Sequence, residues 1–211
     1  MAYDFGKNYF YGYKDSNYLN YEKLNPSKLF EGILYFVRKY GIKGDLLDVG
    51  CAFGFLLREL SPTFNELHGF DVSEFAIEKA RKTVPKAKLK VLSLDKRLPY
   101  PDRKFDCITA VDVLEHTKNF EKNFGKIVKK LKKGGFLIVS TPLDEWPRKY
   151  FWFMDKDKTH ISVLKEGKLQ KIIKKYKMNV IEKRYYLPFP LIYRVPNIPF
   201  SVEILLQKNK I

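Results

Sequence analysis

Four aspartates stand at or near the carboxyl ends of predicted strands in this 211-residue sequence. They are Asp48 in DLLDVG, Asp71 in GFDVS, Asp95 in LSLDK and Asp112 in AVDVL. Four carboxylates would repel a phosphate, whereas a ligand with a sulfonium, an ammonium and two ribose hydroxyls offers them a positive centre and hydrogen-bond donors. S-adenosylmethionine carries these groups, so the pattern favours it as the ligand.

A glycine turn follows the first predicted strand in DVGCAFGF, where Gly50 and Gly54 let the backbone approach a ligand closely. A dinucleotide pyrophosphate site needs glycines at positions 50, 52 and 55, but Ala52 and Phe55 occupy two of them. The spacing from Gly50 to Asp71 also fits a nicotinamide-dependent oxidoreductase, an alternative that the turn argues against. Backbone N–H groups at a helix start favour an anion, which the methionyl carboxylate can supply.

Strands and helices alternate along the chain, which predicts an α/β fold with a doubly wound, mostly parallel sheet. The spacing of apolar residues predicts a helix over residues 29–40 before the first strand. The predicted strands are DLLDV, ELHGFDV, KLKVLSLD, DCITAVDV, GFLIVSTP, MNVIEKRYY and SVEILLQK. Ligands of such sheets bind beyond the carboxyl ends of the strands, so we expect the four aspartates to converge on one crevice.

The motif series DVGCAFGF, GFDVS, LDKRLPYPDRKFDCITAVDVLEH and KKLKKGGFLIVSTP resembles that of the class I S-adenosylmethionine-dependent methyltransferases. The resemblance covers residues 45–142 and weakens outside them. It implies an S-adenosylmethionine-dependent methyltransferase with a Rossmann-like, seven-stranded sheet whose last strand is antiparallel. No Ser/Gly/Pro-rich linker divides the chain, so we expect one domain over residues 1–211, with a cofactor-binding core at residues 41–142.

By position, the resemblance assigns the cofactor to the glycine turn and the strand ends. The methionyl part would lie against Asp48, Gly50 and Gly54, with Cys51, Ala52 and Val72 completing the site. The ribose hydroxyls would bind Asp71, the adenine would lie beside Leu94 and Asp95, and the sulfonium end would lie near Asp112. The family usually has a glycine where this chain has Ala52, a difference that bears on affinity.

Candidate catalytic residues follow the fourth and fifth strands. Glu115 and His116 belong to DVLEH, and His160 belongs to DKDKTHISVL. A base is needed only when the acceptor must lose a proton. His116 could equally cap a helix and His160 could equally be a loop residue, while His68 in ELHGFDV is expected to be structural. No metal site is expected.

Aromatic and apolar segments surround this predicted site. Residues 1–28 are expected to form an aromatic lid, and residues 143–165, with EWPRKYFWFMDKD, an acceptor segment. Residues 166–211 contribute a helix, two strands and the proline-punctuated connection LPFPLIYRVPNIPF. Residues 188–199 are expected to roof the acceptor side with the segments around Tyr11 and Trp152, or to mate with a second copy of the chain; the oligomeric state is not predicted.

The formal charge of +16 and the pI near 9.6 suggest an anionic partner such as RNA. Lysine-rich composition is also typical of heat-adapted proteins and of solvated helix faces, as in KIVKKLKKGG. The fourth strand end lacks the Asn/Asp-Pro-Pro-aromatic motif of enzymes that methylate base amino groups. We therefore favour a small-molecule or lipid-like acceptor, with an RNA methyltransferase and a non-catalytic cofactor-binding subunit as alternatives.

The expected location is the cytoplasm. No signal peptide and no bilayer-spanning apolar run stand out in the sequence. Cys51 and Cys107 lie in apolar segments and are expected to be buried thiols in a reducing compartment.

Overall fold

The computed structural model describes residues 5–12, 16–151, 153, 155–189 and 193–210. The helices are α1 (Lys7–Phe10), α2 (Pro26–Leu29), α3 (Glu31–Lys39), α4 (Phe55–Leu60), α5 (Glu74–Thr83), α6 (Phe120–Lys130), α7 (Trp146–Tyr150) and α8 (Glu166–Lys175). The strands are β1 (Gly44–Val49), β2 (Phe64–Asp71), β3 (Lys88–Val91), β4 (Phe105–Val111), β5 (Leu131–Pro142), β6 (Met178–Phe189), β7 (Tyr193–Pro196) and β8 (Ser201–Lys208). Single 3-10 turns cover Tyr21–Lys23 and Leu114–His116.

The eight strands form one sheet in the order β3-β2-β1-β4-β5-β8-β6-β7. The first five pair in parallel, with Leu46 on β1 opposite both Leu67 on β2 and Cys107 on β4. β8 runs antiparallel to β5 and to β6, and β6 runs antiparallel to β7. The mostly parallel α/β sheet is thus confirmed, but it has eight strands where the motif series predicted seven.

Apolar side chains cover both faces of the sheet and account for the continuous hydrophobic runs of its central strands. On β1, Leu46 packs in a cluster with Ile33 and Leu57, whereas Leu47 packs in another cluster with Phe124 and Ile127. Successive strand residues point to opposite faces, so both must be apolar when helices cover both sides. Burial of each side chain of this size stabilises the folded state by about 1.5–3 kcal/mol. The packed strands therefore hold the residues at their ends in fixed positions.

Two predicted elements differ in extent from those observed. The helix expected over residues 29–40 is observed as α3. A separate short helix, α2, precedes it, and the Asn25 side chain caps α2 by accepting from Lys28 N. The third strand was predicted to run to Asp95, but β3 ends at Val91; the Leu92 N–H still donates to Asp71 O, and the chain then leaves the sheet. Asp95 consequently lies on a loop beside the end of β2.

The proline-punctuated connection supplies the eighth strand. β7 pairs with the end of β6, with Leu187 opposite Val195. Arg194 on β7 forms a buried ion pair with Glu203 on β8, and its guanidinium lies 4.2 Å from the centre of the Tyr186 ring. The described part of residues 188–199 therefore extends the sheet, while residues 190–192 and Trp152 lie outside the described residues.

Candidate cofactor and acceptor site

A cavity of about 180 Å³ lies at the carboxyl ends of the parallel strands, in the crevice that the strand-end rule predicts. Part of its lining comes from strand ends and the loops that follow them: Gly50, Ala52, Phe70, Asp71, Val72, Leu92, Ser93, Leu94, Asp95, Val111, Asp112, Val113, His116 and Thr117. The rest comes from the amino-terminal segment: Phe5, Tyr9, Phe10, Tyr18 and Tyr21. None of the described residues of the 188–199 connection lines it.

The turn after β1 depends on a left-handed backbone. Gly50 has a φ of 70°, and a Cβ built on it would lie 2.3 Å from Val113 Cγ2, so only glycine fits against the loop after β4. Ala52 has a φ of 44°, which is strained for a residue with a side chain. The Ala52 N–H donates to Asp71 Oδ2 at 2.9 Å and so joins the turn to the end of β2.

Asp71 holds two loops with one buried carboxylate. Its Oδ1 accepts from Ser73 N at 2.9 Å, while its Oδ2 accepts from Ala52 N. Burial raises the pKa of Asp71, and these backbone hydrogen bonds oppose that rise. Each carboxylate oxygen retains a lone pair for a second donor. Asp71 can therefore support the turn and bind ligand hydroxyls in the cavity at the same time.

The other carboxylates of the cavity are also held by neighbours. Asp95 Oδ1 accepts from Asn123 Nδ2 at 2.7 Å. Asp112, which has a φ of 50°, accepts at Oδ1 from the Ser140 hydroxyl at 2.7 Å. Leu94 is buried beside Asp95 and supplies an apolar wall. The cavity thus presents fixed acceptors from the end of β2, from the loop after β3 and from the residue after β4.

Three residues predicted to contact the cofactor lie behind the cavity lining. Asp48 precedes the last residue of β1, and it accepts from the Thr109 hydroxyl on β4 at 2.7 Å instead of reaching the cavity. Burial raises the pKa of Asp48 to about 7. Cys51 is buried with its Sγ facing Gly69 on β2, and Gly54 is the N-cap of α4. The predicted convergence of aspartates therefore holds for the other three.

Aromatic side chains of the amino-terminal segment cover the cavity and pack on the glycine turn. Phe10 lies 4.7 Å from Phe53 between ring centroids, and Tyr21 stacks on Phe55 at 5.5 Å. Of the predicted lid, residues 1–4 and 13–15 lie outside the described residues.

The aromatic residues after β5 behave differently. Trp146 and Tyr150 on α7 are 57% and 72% exposed and do not line the cavity. The part of the 143–165 segment that reaches the site is instead the polar stretch from Asp155 to His160.

Glu115, His116 and His160 are brought together at the end of the cavity. One potential ligand atom from each lies within 4.8 Å of the others, and the two imidazole centroids are 4.7 Å apart. Burial raises the pKa of Glu115 to about 8 and lowers the pKa of His116 to about 4. Burial opposes the charged form of His160, but the hydrogen bond to Asp155 and nearby carboxylates raise its pKa overall.

A polar network that the motif analysis missed holds this cluster. Asp157 Oδ2 accepts from Tyr9 Oη at 2.8 Å, and Asp157 Oδ1 accepts from Thr159 N at 2.9 Å and from Thr159 Oγ1 at 2.5 Å. The Thr159 hydroxyl in turn contacts His116 Nδ1 at 2.7 Å. The signal available in the sequence was the polar stretch DKDKTH, in which acidic and basic residues alternate up to Thr159 and His160.

His68, expected to be structural, lies outside the cavity lining. It contacts Glu66 Oε2 at 3.0 Å and packs 5.2 Å from the Phe105 ring centroid.

The residues of the cavity fit S-adenosylmethionine. No lysine or arginine occurs among the described lining residues, although the chain carries a formal charge of +16. Asp71, Asp95 and Asp112 line it instead, and they suit hydroxyls, an amino group and a cationic centre. Gly50 and Ala52 of the turn after β1 also line the cavity, so the backbone of the turn is within reach of a ligand.

Sequence comparisons agree with this chemistry. A family model for a methyltransferase domain matches residues 21–183. A ubiquinone biosynthesis O-methyltransferase of Rickettsia akari is 26% identical over 133 residues, which are 61% of this chain and 53% of that protein. The sterol 24-C-methyltransferase erg-4 of Neurospora crassa is 31% identical over 110 residues, 48% of this chain and 29% of that protein. The chain thus spans about half of the first relative and less of the second.

Solved structures share the fold. An S-adenosylmethionine-dependent methyltransferase from Clostridium acetobutylicum superposes with a TM-score of 0.67 at 16% identity, over 89% of this chain and 94% of that chain. The magnesium protoporphyrin IX methyltransferase of Synechocystis PCC 6803, with bound SAH, superposes with a TM-score of 0.68 at 16% identity, over 87% of this chain and 83% of that chain. In the part of the chain that the structure describes, no helix is long and apolar enough to cross a membrane.

Proposed function

Because this chain belongs to the class I S-adenosylmethionine-dependent methyltransferases, we propose that it transfers a methyl group to a small-molecule or lipid-like acceptor inside the covered cavity. The observation that supports a small acceptor is the distribution of charge. The lining that the structure describes has aromatic and acidic residues and no lysine or arginine. An RNA acceptor would need cations along the path of its phosphates toward the reacting base.

We assign the cofactor to the residues of the turn and the strand ends. Asp71 binds the ribose hydroxyls, Asp95 and Leu94 bind the adenine, and Asp112 faces the sulfonium end. The methionyl part lies against Gly50 and Ala52, with Val72 at the rim. Asp48, Cys51 and Gly54 support the turn from behind.

The chemistry follows from how these residues hold the two reactants. When bound, S-adenosylmethionine supplies a methyl group on a positively charged sulfur, which becomes a neutral thioether after in-line displacement. The aromatic cover excludes water and orients the acceptor, and orientation alone supplies much of the rate for such a step. We place the acceptor's nucleophile at His116, which lines the cavity, and assign its binding to the cluster of Glu115, His116 and His160.

The names of the relatives support an apolar ring compound as acceptor. One acts in ubiquinone biosynthesis and another methylates a sterol. The side chains of Phe5, Tyr9 and Phe10 provide a matching apolar wall.

Calorimetry and a transfer assay test this function. We expect S-adenosylmethionine and its demethylated product to bind wild-type protein and the surface control Asp102→Asn, and NADH not to bind. Radiolabelled methyl groups should then pass to hydroxylated isoprenoid, sterol or phenolic compounds rather than to RNA. Binding of NADH without S-adenosylmethionine would overturn the cofactor assignment, and label recovered only in RNA would overturn the acceptor class.

A further inference from the structure

We propose that Glu115, His116 and His160 form a binding site for one divalent transition-metal ion at the acceptor end of the cavity. The residues lie on different elements, the turn after β4 and the loop after β5, yet their donor atoms lie within 4.8 Å of one another. Tetrahedral ligands about 2.1 Å from a zinc ion are about 3.4 Å apart, so the donor atoms must approach one another by at most about 1.4 Å when an ion binds.

The hydrogen-bond network leaves one nitrogen of His116 free for a metal. The Thr159 hydroxyl donates its single proton to Asp157 Oδ1, so in its contact with His116 Nδ1 it must accept. The proton of a neutral His116 ring therefore lies on Nδ1. The lone pair on Nε2 remains available, and Asp157 orients the ring through the threonine, as carboxylates do for histidines that bind metals.

His160 is oriented in the same way by another carboxylate. Its Nδ1 lies 2.8 Å from Asp155 Oδ2, which also pairs with Arg148. Its Nε2 lies 3.9 Å from Asp157 Oδ2, too far for a hydrogen bond. Within the described part of the chain, both histidines thus have a hydrogen-bond partner at Nδ1 and none at Nε2.

Glu115 provides the third and independent observation. The side chain is 0% exposed, and its Oε1 has no hydrogen-bond partner among the residues that the structure describes, while its Oε2 accepts from the Thr141 hydroxyl at 3.2 Å. Leaving a buried carboxylate oxygen unpaired costs more than an ordinary hydrogen bond contributes. Its main-chain oxygen accepts from Ile161 N and Ser162 N at 3.0 and 2.9 Å, which fixes the His160 loop against the same turn. A metal ion would satisfy Oε1 together with the two free Nε2 atoms.

The donor set indicates the kind of ion. Two imidazoles and one carboxylate suit Zn²⁺, Fe²⁺, Co²⁺ or Mn²⁺ and leave coordination positions open. His116 lines the cavity, so those positions face the acceptor space. The ion would bind and polarise an oxygen of the acceptor. This acceptor role rests on the proposed function, whereas metal binding itself does not.

Metal binding is tested on the full chain after chelation and dialysis. We expect about one Co²⁺ per chain, seen as a visible absorption band, and displacement of that band by Zn²⁺. Glu115→Gln, His116→Gln and His160→Gln should each weaken Co²⁺ binding by more than about 100-fold, and Asp155→Asn by about 10- to 100-fold. His68→Gln, which changes a histidine outside the cavity, should bind like wild type.

Separate measurements keep the outcomes distinct. Calorimetry with S-adenosylmethionine on each metal-free variant checks that the fold and the cofactor site persist. Absence of stoichiometric Co²⁺ and Zn²⁺ binding in wild type, or equal affinity in wild type and the three ligand variants, overturns the metal site. Metal binding without any binding of S-adenosylmethionine supports the metal site and refutes the proposed function instead.

Discussion

Replacing Asp71 with alanine separates the two tasks of this carboxylate. In the cofactor-free protein, the change removes the acceptors of Ala52 N–H and Ser73 N–H, both at 2.9 Å. Hydrogen bonds to a charged group contribute about 1.5–3 kcal/mol each, and water from the cavity replaces part of the loss. We expect the free energy of unfolding to fall by about 2–4 kcal/mol in urea denaturation, with the folded state still populated in buffer.

The effect on binding is worked from the lone pairs that remain. Two ribose hydroxyls donating to Asp71 account for about 2–4 kcal/mol of binding free energy. Asp71→Ala should therefore weaken the binding of S-adenosylmethionine by roughly 30- to 900-fold in calorimetry. The control Asp102→Asn alters an exposed carboxylate paired with Lys130 and should bind like wild type.

A change in the ligand isolates the hydrogen bonds from any effect on the fold. An analogue of the demethylated product that lacks both ribose hydroxyls should bind wild-type protein roughly 30- to 900-fold more weakly than the unmodified product does. It should bind Asp71→Ala about as well as the unmodified product does, because the partner of those hydroxyls is already gone. An equal penalty for the analogue in both proteins would refute the assignment of Asp71 to the ribose.

Three further perturbations test the frame of the site. Burial raises the pKa of Asp48 to about 7 in the folded state, so the folded protein holds that proton more tightly than the unfolded chain. The contribution of Asp48 to the free energy of unfolding should therefore fall by about 2–3 kcal/mol between pH 5 and pH 7, and Asp48→Asn should reduce the fall measured by urea titration between these two pH values by that amount. Ala52→Gly should raise the free energy of unfolding by about 0.5–1 kcal/mol, because glycine tolerates the φ of 44°, and a lower value would contradict the strain argument. Arg194→Met should lower the free energy of unfolding by about 3–5 kcal/mol, because it leaves Glu203 buried without its partner. The double variant Arg194→Met with Glu203→Leu should recover most of that loss. No recovery would show that the broken ion pair is not the cause.

The parallel sheet could be predicted because its strands are covered on both faces. Runs such as DLLDV and DCITAVDV are apolar at most of their central positions, and the aspartates near their carboxyl ends stand at the same edge of the sheet. The place of Asp48 depended on its pairing with Thr109, which strand spacing does not reveal. β7 was missed because prolines argue against a strand, although an edge position tolerates them.

The acceptor end was only partly predictable. Glu115 and His116 stood out because they lie in the turn soon after β4, and His160 because it lies in the segment after β5. Their partners could not be inferred, since Tyr9 and Asp157 are 148 positions apart in the chain and meet only through the fold. Hydrogen bonds between residues so far apart in the chain are determined by tertiary packing, and they leave no periodic pattern in the local sequence.

The two outer strands of the sheet bear on how the protein avoids aggregation. A sheet edge offers unpaired N–H and C=O groups that can recruit strands of other molecules. At one edge, β3 has only four residues and carries the exposed Lys88 and Lys90, whose charges resist the stacking of like strands. At the other edge, β7 is equally short and ends at Pro196, which has no N–H to donate. β3 and β7 are therefore poor templates for intermolecular β-pairing along the parts of β2 and β6 that they cover.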